Sequence, residues 1–472
     1  MLAAMPFVLP SPPTTNPLAR IRDDLGVEWR AARRGPLPPG PKLPSLVLTE
    51  RMRRDPLSVL LTAYEEHGPI FAIRIFHAIN VFMLGPEANR FILVTHRDSF
   101  RWRDGNLGDL IPLIGDGLLT TDGEYHDRAR ETMLPLFHRE RIAAAGDVMT
   151  EEAERALSGW RPGDRLDLYD WSRHVAMRVA MRALFGIDPD RSGVDVAATF
   201  ERGLSFYERE YFLQVLRGPG SPFARLRRVR QTLDRIILGE IARRRRAGDP
   251  GEDLLGLLIE AKEEDGGAFD DGQVRDQILT MLFAGHDTTT STVAFLFYEL
   301  ARSPEWAERL AEERRAIDGS PSAGQLFGEM PQLDMAVQET LRLYPPAWIG
   351  PRRANEDFEF AGYRVPAGLP VNYSSWASHR LPEVFPDPHA FRPERFAPAE
   401  RAKLPKGAYV PFGGGPRICI GMRFGELEVR AIAGAISSRF NLGLEPGWRM
   451  RVRQMPTLSP RGGLPVRVLR QS

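Results

Sequence analysis

The chain has 472 residues, 43% hydrophobic and 26% charged, a balance that excludes a disordered or collagen-like polymer. Lys and Arg number 63 against 62 for Asp and Glu, a net charge of +1, so a general polyanion binder is not expected and nucleic acid is not a predicted partner. The single cysteine, Cys419, rules out an intrachain disulfide, a multi-cysteine zinc site and an iron–sulfur cluster. Three roles remain open for it: a buried apolar filler, a nucleophile, or an axial ligand to a cofactor.

The first ten residues are apolar but lack a basic start and are interrupted by Pro6 and Pro10. They fit neither a secretory signal nor the roughly 20 apolar residues of a membrane span. Residues 1–35 read as an extended leader and 36–472 as one domain of a soluble, cytoplasmic, monomeric protein. After a Pro-rich stretch at 36–44, residues 51–67 read as a helix stopped by Gly68-Pro69. Short apolar runs at 71–75 and 81–84 predict a hairpin. Helical patterns dominate 87–344, strand-like runs return at 358–363 and 370–373, and a last helix spans about 420–440. The fold class is mainly α with a minor β part, in which strands from both ends of the chain pair.

The longest helical pattern covers Asp271–Arg302, with capping-box spacing at Asp270 and Gln273 and apolar residues at Val274, Ile278, Met281, Leu282, Val293 and Leu296. At about 1.5 Å per residue it would run roughly 50 Å, across the whole protein. Its centre, Ala284-Gly285-His286-Asp287-Thr288-Thr289-Thr290-Ser291-Thr292, suits a helix poorly, because glycine and β-branched threonine are both unfavourable there. A Thr288 hydroxyl can capture the Ala284 carbonyl and locally open the helix. Asp287 and Thr288 would then stand beside a gap, an arrangement suited to proton delivery to a small ligand. A kinked core helix with a solvated aspartate is the alternative.

Two further segments carry chemistry. Residues 333–343 are amphipathic and place Glu339 and Arg342 on one face, and Phe391-Arg392-Pro393-Glu394-Arg395-Phe396 offers Arg395 to complete a buried charge network. In Pro411-Phe412-Gly413-Gly414-Gly415-Pro416-Arg417-Ile418-Cys419-Ile420-Gly421, three glycines permit tight turns and close approach to something large or flat. A helix starting just after it would direct its N-terminus at the sulfur and favour a thiolate. A phosphate loop is disfavoured, since no Lys-Ser/Thr follows and Pro416 removes a donor.

Together these residues resemble the cytochrome P-450 superfamily of haem–thiolate monooxygenases, soluble bacterial type. Phe412 to Gly421 fits the pattern Phe-x-x-Gly-x-Arg-x-Cys-x-Gly; Glu339-x-x-Arg342, Arg395 and Ala284-Gly285-His286-Asp287-Thr288-Thr289 fit its other motifs, in order. The resemblance implies a long central helix over haem b and a cysteine-ligand loop, with Cys419 as the iron ligand. It implies cofactor contacts at Phe412, Arg417 and Gly421, and propionate contacts at His126, Arg130 and Arg352. Asp287 would relay protons, Thr288 would hold oxygen and its water, and Glu339, Arg342 and Arg395 would brace the loop. O2 is the implied co-substrate. Pocket walls are expected from Trp102, Leu110, Ile111, Phe206, Tyr211, Phe212, Phe283, Ala284, Trp348, Ile349 and Leu458. Their size and apolarity imply a hydrophobic substrate to be hydroxylated or epoxidised, such as a fatty acid, terpenoid or steroid, with Arg101 or Arg103 as a carboxylate anchor. Electrons would come from ferredoxin or another separate reductase system. A peroxide-driven peroxygenase, a haem isomerase and a non-catalytic haem ligand-binding protein share the loop; Asp287 and Thr288 favour the oxygen-activating enzyme.

Overall fold

A computed structural model describes residues 17–191, 194–209, 211–261 and 269–470. The central helix is Asp271–Arg302, as predicted, and its capping box is formed: Asp270 accepts from the Gln273 N–H at 2.8 Å, and Gln273 accepts from the Asp270 N–H at 2.9 Å. It is buried on nearly all sides, as a helix enclosed by others must be. Helices Leu168–Val179, Pro222–Ala247, Pro331–Leu343 and Met422–Ser437 pack around it. The glycine- and threonine-rich centre does not interrupt it. Thr288, Thr290 and Thr292 donate to the carbonyls of Ala284, His286 and Thr288 at 2.6, 2.6 and 2.8 Å, so the hydroxyls are satisfied inside the helix. The Thr288–Ala284 bond forms, therefore, but the expected opening of the ladder does not.

The predicted hairpin is Ile70–Ile75 paired with Ala78–Met83. Ala78–Met83 also pairs, in parallel, with Pro370–Tyr373, Val81 facing Val371, which joins the two ends of the chain in one sheet. Gly350–Ala354 adds to Pro370–Tyr373, and Phe100–Arg101 adds to Gly350–Ala354. The Gly-Pro-Arg-Arg-Ala strand has no apolar alternation to announce it; its pairing edge makes it a strand. A three-stranded sheet of Arg165–Asp167, Pro465–Arg470 and Phe440–Leu444 ends the last helix at Ser437, short of the predicted 440.

Two expectations change. The helix read over 51–67 is two helices, Ser45–Arg54 and Pro56–His67, because Pro56 cannot donate into a continuing ladder and Asp55 instead caps the second, accepting from the Ser58 N–H at 3.1 Å. The leader is not extended where it is described: Pro17–Ala32 is a helix, and residues 1–16 lie outside the described residues. Glu28 pairs with Arg74 at 3.0 Å, and Asp24 with Arg353 at 2.9 Å and His77 at 3.1 Å. Among the described residues no helix is long and apolar enough to cross a membrane.

Candidate active site

Glu339 and Arg342, both on helix Pro331–Leu343, have no exposed side-chain surface. The guanidinium grips the carboxylate with two bonds, 2.7 and 2.8 Å, and its other N–H groups donate to the carbonyls of His379, Pro388 and Ala390 at 2.9, 2.8 and 3.1 Å. Glu339 also accepts from the Arg392 N–H at 2.8 Å and lies 3.5 Å from Arg395, so the three predicted network residues meet. Their next link is His379. Its Nε2 accepts from the Val410 N–H at 2.9 Å, at the start of the cysteine loop. Burial, with Arg342 and Arg380 adding to it, pushes the His379 pKa down to about 3, so the ring is the neutral acceptor that this bond requires.

Within the loop, the Cys419 N–H donates to the Phe412 carbonyl at 3.0 Å and the Ile418 N–H to Gly415 at 3.0 Å. Gly415 has a φ of 63°, and a Cβ there would stand 2.2 Å from the Leu93 carbonyl oxygen, so only glycine fits. Helix Met422–Ser437 starts three residues after the sulfur. Cys419 is open by accessible area, yet desolvation by surrounding protein raises its thiol pKa, opposed by the Gly421 N–H and Arg130. The sulfur is thus accessible and yet surrounded by protein.

Cations gather beside it. Arg352 is 2% exposed; its guanidinium lies 3.4 Å from the centre of the Trp102 ring and donates to the Pro351 carbonyl at 2.8 Å. Arg130 acts electrostatically on Cys419, and neither arginine makes an ion pair among the described residues. Arg417 pairs with Asp122 at 2.9 Å and donates to Thr121 at 2.9 Å. His126 is buried, with Nδ1 2.8 Å from Asp127, and burial and Arg417 lower its pKa to about 4. One sulfur near the buried Arg352 and the half-buried Arg130, neither of them paired with a carboxylate among the described residues, suits a large group carrying its own carboxylates, as haem does.

Ala284, Gly285 and Thr288 keep some exposed surface, whereas Phe283, His286, Asp287 and Thr289 are buried. The middle of the central helix is thus open along one side, and nothing lies within 4 Å of a Cβ placed on Gly285. Asp287 is tethered elsewhere: it accepts from the Tyr169 hydroxyl at 3.3 Å and from the Thr457 hydroxyl, while Arg453 donates to the Tyr169 oxygen at 2.8 Å. Thr289 donates to Glu428, on the helix after the cysteine loop, at 2.8 Å, and burial pushes the Glu428 pKa up to about 8.

Of the expected wall residues, Trp102, Ile111, Ala284 and Ile349 are partly open, and Leu110, Phe206 and Phe283 are nearly buried in the main core. Leu458 has no exposed surface, and Trp348, nearly buried, packs edge-on against Trp376 and donates to the Gln454 carbonyl at 2.7 Å. The side chains of Tyr211 and Phe212 lie outside the described residues. Arg103 pairs with Asp116 at 2.5 Å and is not a free anchor. An open groove lined by Leu43, Leu46, Val47 and Val59 contains none of the predicted residues. Tyr169, Thr457, Arg453, Asp122 and Glu428 were not predicted; each acts through a partner far off in the sequence, and no local motif marks it.

Residues 35–462 match the family model for cytochrome P450. The chain belongs to the cytochrome P450 family. The cyclooctat-9-en-7-ol 5-monooxygenase of Streptomyces melanosporofaciens is 35% identical over 86% of this chain and 89% of its own length. The cyclooctatin synthase of the same organism is 31% identical over 86% and 90%. A retinoic acid-bound cyanobacterial CYP120A1 superposes with a TM-score of 0.82 at 29% identity, covering 92% of this chain and 99% of that one. The mainly α architecture is the P450 fold, and the protein is an oxidoreductase, a P450 monooxygenase.

For this P450 the buried pair gives one prediction. Arg342→Ala leaves the buried Glu339 carboxylate with only the Arg392 N–H and the more distant Arg395 beside it, a loss of about 3–5 kcal/mol. The variant should purify with reduced haem content and a lower urea midpoint; Arg309→Ala, at an exposed pair with Glu394, should change neither measurably.

The pH dependence of stability gives a second. His379 has a folded pKa of about 3 against about 6.5 when unfolded. Its contribution is complete above 6.5 and is lost as pH falls toward 3, because the unfolded chain takes the proton first. Glu428, at about 8 when folded against an ordinary 4.5, works oppositely: its contribution is complete below 4.5 and is lost as pH rises through 8. Thermal melts should show His379→Gln losing less stability than wild type between pH 7 and 5. Glu428→Gln should gain on wild type between pH 6 and 8.

Proposed function

We propose that the protein is a haem–thiolate monooxygenase, one catalytic domain from residue 36 onward, that hydroxylates or epoxidises an apolar small molecule of fatty-acid, terpenoid or steroid-like class. The observation that carries this reading is the solitary Cys419, accessible yet surrounded by protein, in its glycine loop near two arginines, Arg130 and Arg352, without carboxylate partners among the described residues. Haem, when bound, supplies oxygen activation and the oxidising power. Cys419 would hold its iron, and Arg130, Arg352, Arg417 and His126 would bind and orient its carboxylates. Phe412 would support the loop from below and Gly421 would direct its N–H at the sulfur. Asp287 holds a proton-accepting carboxylate between Tyr169 and Thr457, and Thr288 presents a hydroxyl on the neighbouring, open side of the helix. Proton movement inward requires Asp287 to exchange one of these partners for the Thr288 side.

The partly open apolar residues Trp102, Ile111, Ala284 and Ile349 support an apolar substrate. So do the relative whose name specifies cyclooctat-9-en-7-ol and the structural neighbour holding retinoic acid. Electrons would come from a separate partner such as a ferredoxin, for which the exposed Arg139, Arg141 and Arg423 offer a basic face.

Cys419→His should abolish the red-shifted Soret band of the reduced carbon monoxide complex; a variant that keeps the band overturns the ligand assignment. Thr288→Ala should raise peroxide release per reducing equivalent severalfold while leaving ligand-induced spin-state changes intact. Unchanged coupling in that variant would assign proton control to another group.

A further inference from the structure

We infer that the helix Pro17–Ala32, which precedes the family-matched residues, fixes the segment 102–110 at the edge of the site, with Arg20 and Asp24 as positioning residues for ligand access. The inference rests on the reading that the space beside Cys419 is the ligand pocket. Segment 102–110 is tied to the site at its start. The Trp102 and Arg103 N–H groups donate to Asp122 at 3.0 and 2.8 Å, the carboxylate that also holds Arg417. The Trp102 ring lies under the Arg352 guanidinium, and a Cβ on Gly105 would stand 3.1 Å from the Pro351 carbonyl oxygen.

The remainder of the segment depends on the N-terminal helix. Asn106–Leu110 is a single 3₁₀ stretch, a geometry with weak internal hydrogen bonds, so external anchors decide where it sits. Arg20 bonds Asp109 directly. Asp24, only 10% exposed, holds Arg353 at 2.9 Å, and Arg353 in turn donates to the Asp104 carbonyl at 2.9 Å. Two carboxylate–guanidinium links thus reach the segment near its start, at Asp104, and at its far end, at Asp109. Asp109 is half open by area, yet burial raises its carboxyl pKa and Arg20 opposes the rise. Removing Arg20 takes away the guanidinium that ties Asp109 to the N-terminal helix. The segment that carries Trp102 would then open more often.

The test compares Arg20→Asp, Asp109→Arg, the double exchange and Asp24→Asn in the full-length holoenzyme. Hydrogen exchange of the 103–110 amides reads the segment itself. Stopped-flow binding and release of 4-phenylimidazole, followed at the Soret band, reads access. Each single variant should accelerate exchange and both ligand rates by about fivefold. Haem content should match wild type, and the double exchange should return toward wild-type rates. Singles within about twofold of wild type, or a double exchange as fast as the worse single, overturn the inference. A wild type that binds no 4-phenylimidazole would count against the haem reading alone, because the amide exchange still decides whether the helix holds the segment.

Discussion

Glu339 and Arg342 are opposite charges with no water to solvate them, and the cysteine loop depends on how that cost is met. A buried ion pair repays its desolvation only if the remaining donors and acceptors are also satisfied. Here the guanidinium does this by drawing in three backbone carbonyls between His379 and Ala390, and Glu339 by taking the Arg392 N–H. The chain from 379 to 395 is therefore wrapped against helix Pro331–Leu343. That wrapping places the neutral His379 ring where it accepts from Val410, and Val410 opens the turn that ends at Cys419. Burial that would be unfavourable for a lone charge becomes a device for fixing backbone.

The central helix meets a different constraint. A helix enclosed on all sides has no solvent to receive polar groups, yet its middle carries an aspartate and a run of threonines. The hydroxyls return to their own helix, Thr289 reaches Glu428, and Asp287 is taken up by Tyr169 and Thr457. What remains open is the side made by Ala284, Gly285 and Thr288. The small residues that weaken the helix by propensity are the ones that leave space, so local unfavourability and the opening have one cause.

Features whose physics is local were legible in the sequence. The capping box set the start of the central helix to the residue, and the glycines announced a turn at Cys419 that only they can make. The apolar runs at 71–75 and 81–84 marked the hairpin. Features defined by a distant partner were not legible. Gly350–Ala354 is a strand only because Pro370–Tyr373 offers it an edge, and Pro17–Ala32 became a helix whose charged residues pair with Arg74, His77, Asp109 and Arg353. Trp348 and Leu458 show the same limit. Large apolar residues near a site read as wall or as core equally well, and their partners, Trp376 and the cluster that includes Phe295, are visible only in the fold. Residues around Cys419 were identified through the resemblance of their motifs; what the sequence could not supply was which of their charges are already paired.

That pairing determines what the site can accept. Desolvation pushes four groups around Cys419 toward neutrality, raising the thiol and lowering Arg352, Arg417 and His126. Arg417 is compensated by Asp122, but Arg352 has the rings of Trp102 and Tyr373, the Tyr373 hydroxyl and a carbonyl and no bonded carboxylate, and Arg130 has no bonded carboxylate among the described residues. A neutral ligand would leave both guanidinium groups without a counter-charge. A rigid group that brings a cationic centre to the sulfur and carboxylates to the arginines offsets all three desolvation costs at once. The electrostatics of the polypeptide and the donor chemistry of its one cysteine thus select the same kind of cofactor.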